Sequence, residues 1–173
     1  SGAMGFTAPA MATVRCAFIG LGGRARGHLG HVLKLEGTQV VALADPLPAT
    51  LEASEKLVSE AGREQPTLYG DGPAAYKKML ERSDIDIVFV STMWETHARQ
   101  AVEVMESGKH AILEVPAAVT IDECWELVDT AERAKKLCMM LENCCYGREE
   151  LLCLNLCRLG VLGELLHGEA AYI

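Results

Sequence analysis

The run Cys16-Ala17-Phe18-Ile19-Gly20-Leu21-Gly22-Gly23-Arg24-Ala25 breaks from apolar residues into glycines and then into a helix-like pattern. Gly20, Gly22 and Ala25 fill three small-residue positions, suited in turn to a tight turn, a close backbone approach to a pyrophosphate, and close helix–strand packing. The amide groups that open the helix, around Gly23 and Arg24, would face that anion. About 25 residues on, Val40-Val41-Ala42-Leu43-Ala44 ends in Asp45. A second strand would place its carboxylate there to accept ribose hydroxyls; the competing role is a turn aspartate ahead of Pro46. No arginine follows Asp45 directly, which favours NAD over NADP as the dinucleotide.

These residues need a scaffold, and the hydrophobic pattern supplies one. Ala25, Leu29, Val32 and Leu33 recur at helical spacing, with Glu36-Gly37 expected to close that helix. A helix is expected from about Pro48 to Ala61, a short strand at Thr67-Leu68-Tyr69, and a helix from Pro73 to Arg82. Ile85 to Val90 has the continuous β-branched character of a central strand buried on both faces. The next helix turns Ala98, Ala101, Val102 and Met105 inward and stops at Gly108; His110 to Val115 is the following strand. Thr120-x-x-Glu123 reads as a capping box opening a helix with Ile121, Cys124, Val128 and Ala131 inward, and Leu137 to Leu141 as a sixth strand. Strands and helices alternating in this way specify an α/β fold with a doubly wound parallel sheet, a Rossmann domain.

In such a sheet, ligands lie outside the carboxyl ends of the strands. The residues at those ends are Gly23 and Arg24, Asp45, Trp94-Glu95-Thr96-His97, Glu114-Val115-Pro116, and Asn143. Each also has a structural reading: Trp94 as core, His97 as a local hydrogen-bonding group, Glu114 as a cap, Asn143 as a turn residue and Arg24 as a solvated helix residue. His28, His31, His110 and His167 have no partners at metal-ligand spacing and are assigned structural roles; no metal site is expected.

The 173 residues carry a formal net charge of −8 with no basic block, which argues against a nucleic-acid surface. No apolar run approaches membrane-spanning length. Seven cysteines without Cys-x-x-Cys spacing fit small hydrophobes in a chain folded in a reducing compartment, with later export left open. Residues 1–14 read as a cloning scar and flexible leader, 15–160 as the dinucleotide-binding domain, and 161–173 as the first strand of a second, truncated α+β domain. A helix from Glu149 to Leu159 is apolar on most sides and calls for partners.

Taken together, these residues resemble the cofactor domain of the glucose–fructose oxidoreductase and inositol dehydrogenase family, from about Arg15 to Ile173. Within it they are most similar to glycoside hydrolase family 109, the NAD-dependent α-N-acetylgalactosaminidases. Trp94-x-x-His97, Glu114-Val115-Pro116-Ala117-Ala118, Glu142-Asn143-Cys144-Cys145-Tyr146 and Gly168-Glu169-Ala170-Ala171-Tyr172 carry the likeness.

The resemblance implies NAD contacts from Gly20, Gly22, Gly23, Arg24, Asp45, Trp94, Glu95, Thr96, His97, Glu114, Val115 and Asn143, a sugar contact from Tyr172, and a catalytic role for His97. Many dehydrogenases of the wider family hold a lysine where Val115 stands, and Val115 moves no proton; this favours the hydrolase branch. The implied reaction uses NAD without consuming it. Hydride leaves the sugar's C3, the ketone acidifies the C2 proton, the C1 substituent is eliminated, water adds, and the hydride returns. The implied substrate is an N-acetylgalactosaminide, outside the usual two-carboxylate scheme of glycosidases. A homo-oligomer is expected; nucleic acid and membrane are not. The alternatives are an NAD-dependent sugar or polyol dehydrogenase, or a nucleotide-binding module without turnover.

Overall fold

Apolar runs become strands where β-branched and small residues can be covered from both sides. The computed structural model describes residues 10–169. In chain order the elements are β1 (Val14–Ile19), α1 (Gly23–Val32), β2 (Thr38–Ala44), α2 (Pro48–Glu60), β3 (Thr67–Tyr69), α3 (Ala75–Leu80), β4 (Ile87–Val90), α4 (Trp94–Glu106), β5 (His110–Leu113), α5 (Ile121–Ala134), β6 (Cys138–Met140) and α6 (Arg148–Arg158). The six strands form one sheet in the order β3-β2-β1-β4-β5-β6, and every neighbouring pair is parallel. This is the doubly wound Rossmann order, with its reversal between β1 and β4.

Alternation along the strands divides the core into two layers. Cys16, Phe18, Val40, Leu43 and Phe89 face α1 and α2, packing with Leu29, Val32, Leu51 and Val58. Phe18 and Phe89, cross-strand neighbours, stack with ring centroids 4.5 Å apart. Ala17, Ile19, Val88, Val90, Ala111 and Leu113 turn to the opposite layer, against Tyr76, Met79, Ala98, Ala101, Met105 and Leu127. At the amino ends of the strands, Asp86 locks β1 to β4 by accepting from the Arg15 backbone N–H at 2.8 Å, its Nε at 2.9 Å and its Nη2 at 2.7 Å. The Arg15 guanidinium outweighs burial and holds the Asp86 carboxyl below the usual range.

Four expectations need correction. α1 ends at Val32, and the chain reaches β2 through turns that finish at Gly37 in the left-handed region. Ile121, Cys124 and Val128 of α5 are exposed, while Leu127, Thr130 and Ala131 are buried. This helix covers the rim of the sheet, where only a narrow stripe meets α4 and the strands. The chain separates into two compact units, Ser1–Leu141 and Glu142–Ile173. α6 therefore groups with the second unit rather than with the sheet, and none of its residues is buried. Finally, of the strand expected over 161–173, residues 161–169 carry no strand, none pairing with them among the described residues, and 170–173 lie outside the described residues.

Candidate dinucleotide site

Gly20 turns the chain out of β1 at φ +80°, and a Cβ there would stand 2.7 Å from the Ser91 carbonyl oxygen and 2.8 Å from Thr92 Cγ2. Only glycine allows β1 and the end of β4 to approach this closely. Gly22 and Gly23 differ: an added Cβ would meet nothing within 4 Å at either position. Packing does not demand glycine there, and the backbone stands open to approach from outside. Gly22 is the N-cap of α1 and no side chain caps it, which leaves the first-turn N–H groups to an anion. Ala25 behind them is fully buried. Ser91 Oγ is the one buried side-chain polar atom without a hydrogen-bond partner among the described residues. It stands at the sheet's reversal point, where a polar ligand could complete it. These features fit a dinucleotide.

On the β2 side, Asp45 Oδ2 accepts from the Leu21 N–H at 2.7 Å and Oδ1 from the Leu47 N–H at 2.8 Å. These bonds fix the carboxylate's orientation and leave each oxygen a second lone pair. Asp45 borders a cleft of about 210 Å³ with Gly20, Pro46, Tyr76, Met93 and Thr96. Tyr76 donates to Glu103 Oε2 at 2.6 Å, and burial together with that carboxylate pushes its hydroxyl up to about 12. Thr96 Oγ1 and Thr92 Oγ1 are 2.8 Å apart, and Thr92 Oγ1 reaches Gln100 Oε1 at 2.5 Å, bracing the loop ahead of α4.

On the β5 side, Glu114 Oε1 accepts from Arg24 Nε at 3.0 Å and His28 Nε2 at 2.5 Å, while Oε2 accepts from the Val115 N–H at 3.1 Å. Burial works to raise the Glu114 pKa, but His28, Arg24 and the Val115 amide prevail and hold it below the ordinary glutamate value. His28, assigned a purely structural role from sequence, is thus tied to a candidate site residue. Its spacing of four from Arg24 on one helix face is the signal that could have exposed it.

His97 is 1% exposed, with Nδ1 2.7 Å from the Pro116 carbonyl oxygen and Nε2 3.2 Å from that of Thr92. Both partners are acceptors and a neutral ring carries one N–H, so the shorter contact, Nδ1 to Pro116, is the one that ties the start of α4 to the loop after β5. It presents no ring nitrogen to a substrate. Trp94 is 63% exposed and Glu95 is also exposed, both in the first turn of α4. Val115 is exposed, and its bond to Pro116 is cis. Asn143 belongs to the second unit and is exposed; Tyr172 lies outside the described residues.

Residues 14–142 match the model of a family described as "Oxidoreductase family, NAD-binding Rossmann fold". The chain belongs to this family. NAD is accordingly the family cofactor of this Rossmann domain. A "Glycosyl hydrolase family 109 protein" of Shewanella pealeana is 54% identical over 170 residues, 98% of this chain and 37% of that relative. A protein of the same description from Shewanella woodyi is 50% identical over 98% of this chain and 36% of its own length. The chain therefore spans little more than a third of the curated relatives it matches.

Among solved structures, the WlbA dehydrogenase of Chromobacterium violaceum, in complex with NADH and UDP-GlcNAcA, superposes with a TM-score of 0.77 at 25% identity. The match covers 90% of this chain and 42% of that one. The scyllo-inositol dehydrogenase of Lactobacillus casei gives a TM-score of 0.76 at 21% identity over 88% and 43% of the two chains, which speaks to the fold alone.

Proposed function

We propose that this chain is the cofactor half of an NAD-dependent glycosidase that hydrolyses α-N-acetylgalactosaminides. The observation that carries the reading is the 54% identity, over 98% of the chain, to a relative described as a family 109 glycosyl hydrolase. Val115 supports it: an aliphatic side chain beside Glu114 at the end of β5 neither gives nor accepts a proton.

On this reading the residues divide the work as follows. Gly22, Gly23 and the opening amides of α1 hold the pyrophosphate, Gly20 brings that turn against β4, and Arg24 reaches across to Glu114. Asp45, braced by two backbone amides, accepts ribose hydroxyls. Thr96, Trp94 and Glu95 at the start of α4, with Glu114 and Val115, border the other nucleoside. His97 acts as a positioning residue that joins the loops carrying these groups. The cofactor, when bound, supplies reversible oxidation of a sugar carbon, and the protein supplies orientation and charge.

The test is a protein of the relatives' full length, supplied with NAD and a chromogenic α-N-acetylgalactosaminide. The expected result is continuous aglycone release with no net build-up of reduced nicotinamide. Build-up without aglycone release would sink the glycosidase reading and establish a sugar or polyol dehydrogenase, the second reading, which the likeness to the WlbA dehydrogenase favours. For the 173-residue chain itself we propose nucleotide binding without turnover.

A further inference from the structure

Two bases from one helix converge on a single carboxylate oxygen. Arg24 and His28 stand four residues apart on α1, so both project along one side, and Arg24 Nε at 3.0 Å and His28 Nε2 at 2.5 Å reach the same Glu114 Oε1. Glu114 is 8% exposed and hydrogen-bonded at its second oxygen by the Val115 amide. It cannot turn away without leaving two basic side chains unpaired. The sheet order separates Asp45, at the end of β2, from Glu114, at the end of β5, by β1 and β4. A dinucleotide with its pyrophosphate at α1 and one ribose at Asp45 must send its other nucleoside towards the β4 and β5 ends. That nucleoside holds the nicotinamide ring, cationic in NAD⁺ and neutral in NADH.

We infer that the Glu114–Arg24–His28 cluster sets the oxidation-state preference of the dinucleotide: the carboxylate favours the cationic ring, and Arg24 and His28 are positioning residues that hold the carboxylate and temper its charge. The inference rests on the domain's reading as an NAD holder and deepens it. A lone buried carboxylate would bind NAD⁺ much more tightly than NADH and oppose the reduced state. A lone cation would do the reverse. A cycle that oxidises a sugar and then restores it needs both states within reach, and an ion pair of near-zero net charge provides that balance.

The experiment titrates the 173-residue chain calorimetrically with NAD⁺ and with NADH at fixed pH and ionic strength. Glu114→Gln, which keeps the side chain's shape, should raise Kd(NAD⁺)/Kd(NADH) roughly tenfold, the effect of one charge at partly screened range. Arg24→Met should move the ratio the opposite way. His28→Leu should shift the ratio, and His28→Gln, which keeps an N–H at similar reach, should restore it. If Glu114→Gln and Arg24→Met weaken both nucleotides equally and leave the ratio unchanged, the cluster is a structural tie and the inference is overturned. A well-folded wild-type chain that binds neither nucleotide would overturn the underlying NAD-holding reading, and this inference with it.

Discussion

Two glycines in the same turn answer to different forces, and that difference can be measured. Gly20 has φ +80° and its missing Cβ would collide with the Ser91 carbonyl. Gly20→Ala should therefore cost roughly 2 kcal/mol or more, from left-handed strain plus a backbone shift between β1 and β4. Gly22 has φ −62° and open space around its Cβ position. Gly22→Ala should leave stability within about 0.5 kcal/mol of wild type and weaken NAD binding. Chemical denaturation and calorimetric titration of both variants check this. Equal destabilisation by both would show that packing alone explains the motif. Gly20 is legible in the sequence because its positive φ is a local backbone requirement. His28 escaped because its role comes from Glu114, 86 residues away, and no local period records a tertiary ion pair.

At the scale of elements, the strands were legible as continuous apolar runs, and β4 is buried as expected for the centre of the sheet. The face of α5 was not legible. Ile121, Cys124, Val128 and Ala131 form a helical stripe as regular as that of α4, yet only Ala131 of these is buried. Periodicity reveals that a helix is amphipathic; how much of its apolar arc is covered depends on what lies beside it. With little burial at its start, α5 leans on its cap. Thr120 Oγ1 accepts from the Glu123 N–H at 3.2 Å, and Glu123 Oε2 accepts from the Thr120 N–H at 3.0 Å and the Val119 N–H at 2.8 Å. Thr120→Ala should cost about 1 kcal/mol, with faster amide exchange confined to the first turn of α5. An unchanged melting temperature would mean that packing against α4 holds this terminus instead.

For the molecule as a whole, the competing terms are exposed apolar surface and net charge. In the first unit Ile121 is 76% exposed and Trp125 63%, with Val128 beside them on α5. In the second unit Leu151, Leu152, Leu154 and Leu159 are all exposed on or beside α6. Apolar surface of this kind drives association, while a net charge of −8 opposes it at long range. Salt weakens the repulsion by shortening the screening length and leaves the hydrophobic term nearly intact. The chain should therefore self-associate, and its light-scattering mass should rise with sodium chloride concentration. An ion-pair interface would show the opposite trend. Trp125→Glu, on the exposed side of α5, should lower the association if that helix contributes, and Leu152→Glu should do so if α6 does. A mass that stays monomeric at high protein and salt concentrations would show that these leucines and the tryptophan are tolerated in water.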